Sequence, residues 1–320
     1  MQRNVESDID SPMHYPSVVN AVFNQPWAIL PETYAIICEV VRSRSSGLRL
    51  TAEQIQERIG AAAMAALRPV RTGAAKGGAV AVLPLYGILA QRMNTMTHMS
   101  GGTSTEMFGR MFREAVREPS ISAIVIDVDS PGGSVFGVDE LASEIRAARG
   151  AKPIIAVANS MAASAAYWVA SQADELVVTP GGMVGSVGIL TAHEDISKAQ
   201  ELAGVKTTIV SAGRFKAEDA PFQPLSEVAK TALQALVDQY YATFVQAVAK
   251  GRKVSIAAVK DGFGQGRLVK AEDALEQGMV DTIATLDQTI ARLMGRGPQG
   301  QAGAMADTEL RQRRLRLAAS

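Results

Sequence analysis

A serine that could act as a nucleophile lies near the middle of the chain, at Ser164. It follows a strand-like run at 153–158 and stands in an alanine-rich stretch, 159–170, whose apolar residues recur at helical spacing. This pattern predicts Ser164 in the first turn of a helix, where free backbone N–H groups and the helix dipole favour a developing oxyanion. The position equally suits a small residue selected for close helix packing, so the serine alone does not establish a site.

A serine nucleophile needs a base, and the three histidines are poor candidates. His14 lies in a stretch predicted to be disordered, and His98 lies in a methionine-rich loop predicted to be mobile. His193 is interpreted as an exposed loop histidine, with a role as base kept as the alternative. A lysine can serve if burial leaves it neutral, and the candidate is Lys216, which follows a predicted strand at 207–211. A lone loop lysine is otherwise solvated.

A glycine-containing turn, Ser130–Gly133, joins a strongly apolar predicted strand at 121–128 to a predicted helix at 138–148. Glycines let the backbone approach a ligand and aim N–H groups at it, which suits an oxyanion hole or a phosphate cradle. No Lys-Ser/Thr pair follows, so the turn is not a P-loop. In isolation, such a stretch is interpreted as a structural turn.

Strand, turn and helix patterns alternate across residues 79–290, which predicts an α/β fold with right-handed crossovers around a parallel sheet. We divide the chain into an N-terminal helical extension with a linker at 1–75, a main domain at 76–290, and a flexible basic tail at 291–320. Within the extension, Pro26–Pro31 is interpreted as a docking segment.

Composition excludes several classes of protein. The formal net charge is zero, which gives no indication of nucleic-acid binding, and the single cysteine, Cys38, cannot form an internal disulfide. No run of apolar residues is long enough for a transmembrane helix, and the polar N-terminus does not resemble a signal peptide. No pair of histidines has metal-ligand spacing. The expectation is a cytoplasmic protein without metal, cofactor or membrane anchor.

Four motifs together resemble the SppA-type signal peptide peptidases, a family of Ser–Lys peptidases on the ClpP/crotonase fold. The resemblance covers about 79–290 and includes the separation between serine and lysine. The motifs, in chain order, are Asp127–Gly133, Met161–Trp168, Val184–Gly188 and Gly213–Lys216.

The resemblance implies a role for each matching residue. Ser164 is the nucleophile and Lys216 the general base, and Ser186 orients the lysine. The backbone N–H groups of Gly133 and Ala165 form the oxyanion hole. No metal or cofactor takes part. The family likeness also implies rings of protomers, with two alternatives for each site: the serine and lysine come from one subunit or from adjacent subunits.

Some features separate this chain from the bacterial membrane enzymes. Ala165 and Ala166 follow the serine where those enzymes usually have two glycines, and the N-terminal membrane anchor is not found. Together with Pro26–Pro31 and the Tyr167-Trp168 pair, this resembles the phage branch, the capsid assembly proteases similar to protein C of tailed phages. That branch implies scaffold, portal or capsid proteins as partners, and a location within the procapsid.

The leading hypothesis is a serine endopeptidase that acts in phage or prophage capsid assembly. A bacterial signal-peptide or quality-control peptidase of the same family is one alternative. Another is a crotonase-type acyl-CoA enzyme, which would use the same turn for a thioester oxyanion. A third is a structural assembly protein in which catalysis is minor.

Overall fold

The computed structural model describes residues 22–45, 73–75, 78–92 and 102–295. The predicted disordered start of the chain, most of the methionine-rich loop and the basic tail beyond residue 295 lie outside these ranges, as do His14 and His98.

The main element is an eight-stranded sheet whose central strands are parallel. Strands β3, β6 and β8 form its centre, β2 and β11 pair antiparallel at its two ends, and β12 lies beside β9. The apolar runs of β3 and β6 are buried, as a parallel sheet covered on both faces requires. The bounds are β2 Gly73–Ala75, β3 Gly78–Tyr86, β6 Ile121–Ser130, β8 Ile154–Ala163, β9 Glu175–Val178, β10 Met183–Gly185, β11 Leu268–Lys270 and β12 Thr282–Ile283.

Strand β8 pairs with different strands at its two ends on one side. Its first half pairs with β9, and its last three residues pair with β10. The fork places the end of β10 beside Ala163, directly before Ser164. This arrangement brings two distant parts of the sequence to the predicted nucleophile.

A second sheet of four short strands lies at the carboxyl ends of β3 and β6. Its order is β1, β7, β4 and β5, with β1 antiparallel and the other pairs parallel. The bounds are β1 Trp27–Ile29, β4 Leu89–Ala90, β5 Thr103–Ser104 and β7 Gly132–Ser134. Strand β7 is the glycine turn identified from the sequence.

Helices cover the sheet and begin at recognisable caps. Ser104, Ser226 and Thr285 accept a hydrogen bond from a backbone N–H of the first turn of α2, α6 and α9. The core is centred on α4 and α6, where the rings of Trp168 and Phe244 stack at 4.6 Å. The bounds are α1 Pro31–Ser45, α2 Thr105–Arg117, α3 Val138–Ala147, α4 Ala165–Ala170, α5 Ser197–Leu202, α6 Glu227–Arg252, α7 Ile256–Gly262, α8 Ala271–Glu276 and α9 Leu286–Leu293.

The α/β prediction and its parallel sheet are confirmed, but two local predictions are wrong. The alanine-rich stretch does not become helical at residue 159, because β8 continues to Ala163. Pairing of residues 161–163 with β10, and of Ala162 also with β6, overrides the helix propensity of alanine. The strand predicted at 207–211 is not formed, and that segment is exposed without regular secondary structure.

Within the described ranges, no helix is both long enough and apolar enough to cross a membrane.

Candidate active site

Ser164 occupies the sharp connection between β8 and α4. Its backbone is at φ 52° and ψ −115°, a conformation that is strained for a residue with a side chain. Its N–H donates to the Gly185 carbonyl at 2.7 Å, and its carbonyl accepts from the N–H of Trp168 at 2.9 Å. The residue is fully buried, and its hydroxyl lies 3.4 Å from the Gly188 carbonyl oxygen. Strain of this kind is typical of residues that are held in place for function.

The glycine turn lies directly beside this connection. Ser130 pairs with Ala162 of β8, so β7 starts next to the end of that strand. A Cβ built on Gly132, which has φ 98°, would lie only 3.1 Å from the Ala163 carbonyl oxygen. Only glycine permits this conformation and this close approach. The structure therefore brings the turn and Ser164 together, as the oxyanion-hole prediction requires.

Ala165 is the first residue of α4 and is fully buried. In any α-helix the first N–H groups have no acceptor within the helix, so this end offers donors next to the Ser164 hydroxyl. Ala165 and Ala166 stand where the bacterial membrane enzymes usually have glycines, and alanine keeps the same backbone N–H groups. The methyl groups of Ala165 and Ala166 instead pack into the main core.

Ser186 lies on the same side of the site. It follows Gly185, whose carbonyl accepts from the N–H of Ser164. Its backbone is also at a positive φ, 53°, and its N–H donates to the Arg267 carbonyl at 2.8 Å. The side chain is buried. Ser186 is therefore held close to Ser164 by backbone bonds from two other elements.

Within the described ranges, the structure shows no hydrogen bond between Lys216 and the other predicted site residues. The Lys216 side chain is exposed, in a turn where its N–H donates to the Gly213 carbonyl. Its role as base stays a prediction.

His193 differs from the interpretation as an exposed loop histidine. The residue is only partly exposed, and both ring nitrogens are shielded from solvent without a hydrogen-bond partner among the described residues. It lies next to Glu194, which pairs with Arg42 of α1. Among the described residues, no hydrogen bond joins the ring to Ser164, so the structure gives His193 no part in the site.

Sequence reasoning did not identify a polar layer just before the turn. The hydroxyl of Tyr86 donates to Asp127, and the Ser160 hydroxyl donates to Asp129 at 2.8 Å. Burial raises the pKa of the Asp129 carboxyl and neighbouring Asp127 adds to this, while the bond from Ser160 opposes it. The signal was the Asp-x-Asp pattern at the end of β6.

We expect Gly133→Ala to disrupt the site itself. A Cβ at this position would overlap the backbone of Leu89, which no side-chain rotation can relieve. A loss of several kcal/mol of folding stability, of the order found for overpacked cores, or displacement of β7 should result. Urea unfolding followed by circular dichroism measures the first outcome.

Gly181→Ala is the matched control for this substitution, since a Cβ there meets nothing within 4 Å. It should change stability by less than about 1 kcal/mol. Equal behaviour of the two variants would contradict the close packing of β7.

Comparison with known proteins places this geometry in a family. Residues 146–297, just under half of the chain, match the model of peptidase family S49. The resemblance to the SppA-type peptidases, which this family match reflects, is thereby confirmed for this segment. The match includes Ser164, Ser186 and Lys216 but begins after the glycine turn.

The curated relatives include both phage and bacterial proteins. Capsid assembly protease C of Escherichia phage lambda is 30% identical over 211 residues, 66% of this chain and 48% of that protein. Protease 4 of Salmonella typhi is 30% identical over 70% of this chain and 35% of that protein. Head-tail preconnector protein GP5 of Enterobacteria phage P21 is 27% identical over 86% of this chain and 56% of that protein. The matches thus span between about a third and just over half of these relatives.

Solved structures also match at low identity. A membrane protease specific for a stomatin homolog from Pyrococcus horikoshii has 13% identity and a TM-score of 0.38, covering 66% of this chain and 78% of its own. A probable enoyl-CoA hydratase/isomerase from Mycobacterium abscessus has 14% identity and a TM-score of 0.39, covering 71% and 74%. With TM-scores this low, nothing about the site rests on either likeness.

Proposed function

We propose that the chain is a serine endopeptidase in which Ser164 is the nucleophile. The observation that carries this proposal is the placement of a strained serine at the start of α4, against the Gly132–Gly133 turn. A hydroxyl between two sources of backbone N–H groups is the arrangement that acyl transfer requires. The family match and the peptidase names of the relatives support the same activity.

The reaction follows from these groups. Ser164 Oγ attacks the peptide carbonyl while neutral Lys216 accepts its proton, and the tetrahedral oxyanion is stabilised by the N–H groups of Gly133 and Ala165. The C–N bond then breaks and the leaving amine takes the proton from Lys216. In the second half of the reaction, water attacks the acyl carbonyl while Lys216 accepts its proton. Ser164 Oγ then leaves and takes that proton from Lys216. Ser186 is proposed to orient the lysine.

The exposure of Lys216 supports a site shared between subunits. The segment around it presents large apolar side chains to solvent, with Leu202 90% and Val210 94% exposed, and with Val205 and Phe215 also exposed. Apolar patches of this kind mark protein interfaces. We therefore propose that this segment packs on a neighbouring protomer of a ring and that Lys216 enters that protomer's site.

Mixing two inactive variants tests the shared site. Ser164→Ala and Lys216→Ala should each lack peptidase activity when assembled alone. Rings that are dissociated and reassembled from equal amounts of both should regain about a quarter of the wild-type activity, because one site in four then receives both functional groups. A fluorogenic peptide assay on the mixture measures this recovery.

The control is the same mixture without dissociation, which should stay inactive. If the reassembled mixture stays inactive while wild-type protein recovers after the same treatment, serine and lysine act within one chain.

A serine-reactive fluorophosphonate tests the nucleophile directly. Peptide mapping should find the probe on Ser164. Modification of any other serine would contradict the proposed site.

The biological setting proposed is capsid assembly, with scaffold, portal or capsid proteins as substrates. It is supported by two phage relatives, one named a capsid assembly protease and the other a head-tail preconnector protein. We place the protein in the cytoplasm, and within the procapsid during assembly. Incubation with purified scaffold, portal and capsid proteins, followed by mass spectrometry of the fragments, would identify the substrate.

A further inference from the structure

Strand β1, far from Ser164 in sequence, lies across the candidate site. It pairs antiparallel with β7, with Ala28 opposite Gly133 and Ile29 opposite Gly132. On its other edge, Trp27 and Leu190 exchange two backbone hydrogen bonds of 2.8 and 2.9 Å. The strand therefore fills a groove between the glycine turn and the segment that follows Gly188.

The hydrogen-bond alternation defines which groups of β1 face the turn. Leu30 donates its N–H to the Pro131 carbonyl at 3.0 Å, whereas Trp27 bonds outward to Leu190. In an antiparallel pair, the bonded residues recur every second position, so Ala28 and Gly133 form the next bonded pair. The Gly133 N–H, the proposed oxyanion donor, is thus directed at the carbonyl of Ala28.

The side chains of β1 divide between two environments. Trp27 and Ile29 belong to a separate apolar cluster with residues of α1, including Tyr34 and Ile37. Ala28, on the opposite face of the strand, is fully buried in the main core together with Ala165. The groove therefore holds a small side chain next to the start of α4.

The burial of Ser164 also indicates that the groove is filled. A nucleophile that acts on polypeptides must be reached by an extended chain, yet Ser164 is fully buried. Asn24, three residues before β1, also binds two segments further along the chain. The Asn24 N–H donates to the Ala192 carbonyl, and its side-chain amide donates to the carbonyl of Asp219, three residues beyond Lys216.

We propose that β1 occupies the groove that binds substrate, so that the described arrangement is a closed, self-inhibited state. This inference rests on the proposed peptidase function. A substrate would add to β7 as an extended strand in place of β1, with a small residue at the position of Ala28. The segment from Pro26 to Leu30 acts as a built-in competitor, and α1 anchors it.

Weakening the anchor tests this proposal. Trp27→Ala should label with a fluorophosphonate at Ser164 at least about tenfold faster than wild type, because loss of a buried aromatic side chain favours release of the strand. The control is Phe112→Ala, which removes a fully buried ring of α2 from the main core and leaves the apolar cluster around Trp27 intact. Labelling that rises equally in both variants, or in neither, would overturn the proposal.

A binding measurement separates this proposal from the peptidase function. A fluorescent peptide with the sequence of residues 23–31 should bind Trp27→Ala protein that also carries Ser164→Ala, and bind wild type much more weakly. The same peptide with aspartate in place of Ala28 should not bind, since the carboxylate would enter an apolar pocket.

The labelling and binding results together distinguish failure of the peptidase function from failure of the occupied groove. Peptide binding with an unreactive Ser164 would contradict the peptidase and support the occupied groove. A reactive Ser164 that labels equally fast with or without the Trp27 anchor, in a protein that does not bind the peptide, would contradict only the occupied groove.

Discussion

Ser164→Ala is expected to reduce peptidase activity by roughly 10⁶-fold, the loss found when a serine nucleophile is removed from a peptidase. The methyl group cannot form the acyl intermediate, whereas the glycine turn and the start of α4 remain. Alanine at the strained φ of Ser164 costs no more than serine does, so the fold should be kept. Initial rates on a fluorogenic peptide, with circular dichroism to show folding, measure this effect.

Lys216→Ala should have a comparable effect, and Lys216→Arg should not restore activity, because a guanidinium stays protonated and cannot accept the serine proton. Two matched controls exist. Ser160→Ala alters a serine of β8 that is also at positive φ, and Lys206→Ala removes an exposed lysine from the same segment as Lys216. Both should retain activity. Full turnover by Lys216→Ala would show that the base lies elsewhere.

Asp281→Ala is expected to cost about 3–5 kcal/mol of folding stability, the range for breaking a buried ion pair. Asp281 forms two bonds with the guanidinium of Arg252, at 2.7 and 2.9 Å, and both side chains are almost fully buried. Burial by itself lowers the pKa of Arg252, but the Asp281 carboxylate more than offsets this and raises it. Without Asp281, the arginine would be left as an uncompensated charge in the core.

The Arg252–Asp281 pair connects two distant parts of the fold. Asp281 also accepts the Leu176 N–H of β9 at 2.8 Å, and Arg252 is the last residue of α6. The pair therefore ties the longest helix to the edge of the main sheet. Urea denaturation should show the loss as a lower midpoint.

Arg292→Ala is the matched control, because it breaks the exposed pair with Glu175 and should cost less than about 1 kcal/mol. Equal losses of folding stability in Asp281→Ala and Arg292→Ala would contradict a larger contribution from the buried pair.

Short local patterns in the sequence predict the fold class and most of the candidate site residues. Apolar β-branched runs, such as the one before Ser130–Gly133, predict buried parallel strands, and the alternation with helices predicts the α/β class. The glycine turn, Ser164 and Ser186 were all identified from local motifs, and the structure brings these three together. Local patterns suffice here because the turn and Ser164 follow neighbouring parallel strands, whose carboxyl ends meet at one edge of the sheet.

Tertiary structure decided what depends on partners distant in sequence. The alanine-rich end of β8 stays a strand because β10 pairs with residues 161–163 and Ser130 of β6 pairs with Ala162, and no local propensity encodes those neighbours. The β-branched run at 207–211 has the propensity for a strand but gains no partner in a single chain. Pro26–Pro31 was interpreted as a docking segment, and only the fold showed that its strand, Trp27–Ile29, pairs with β7 of the same chain. The partner strand is about a hundred residues away in sequence, so no local pattern specifies it.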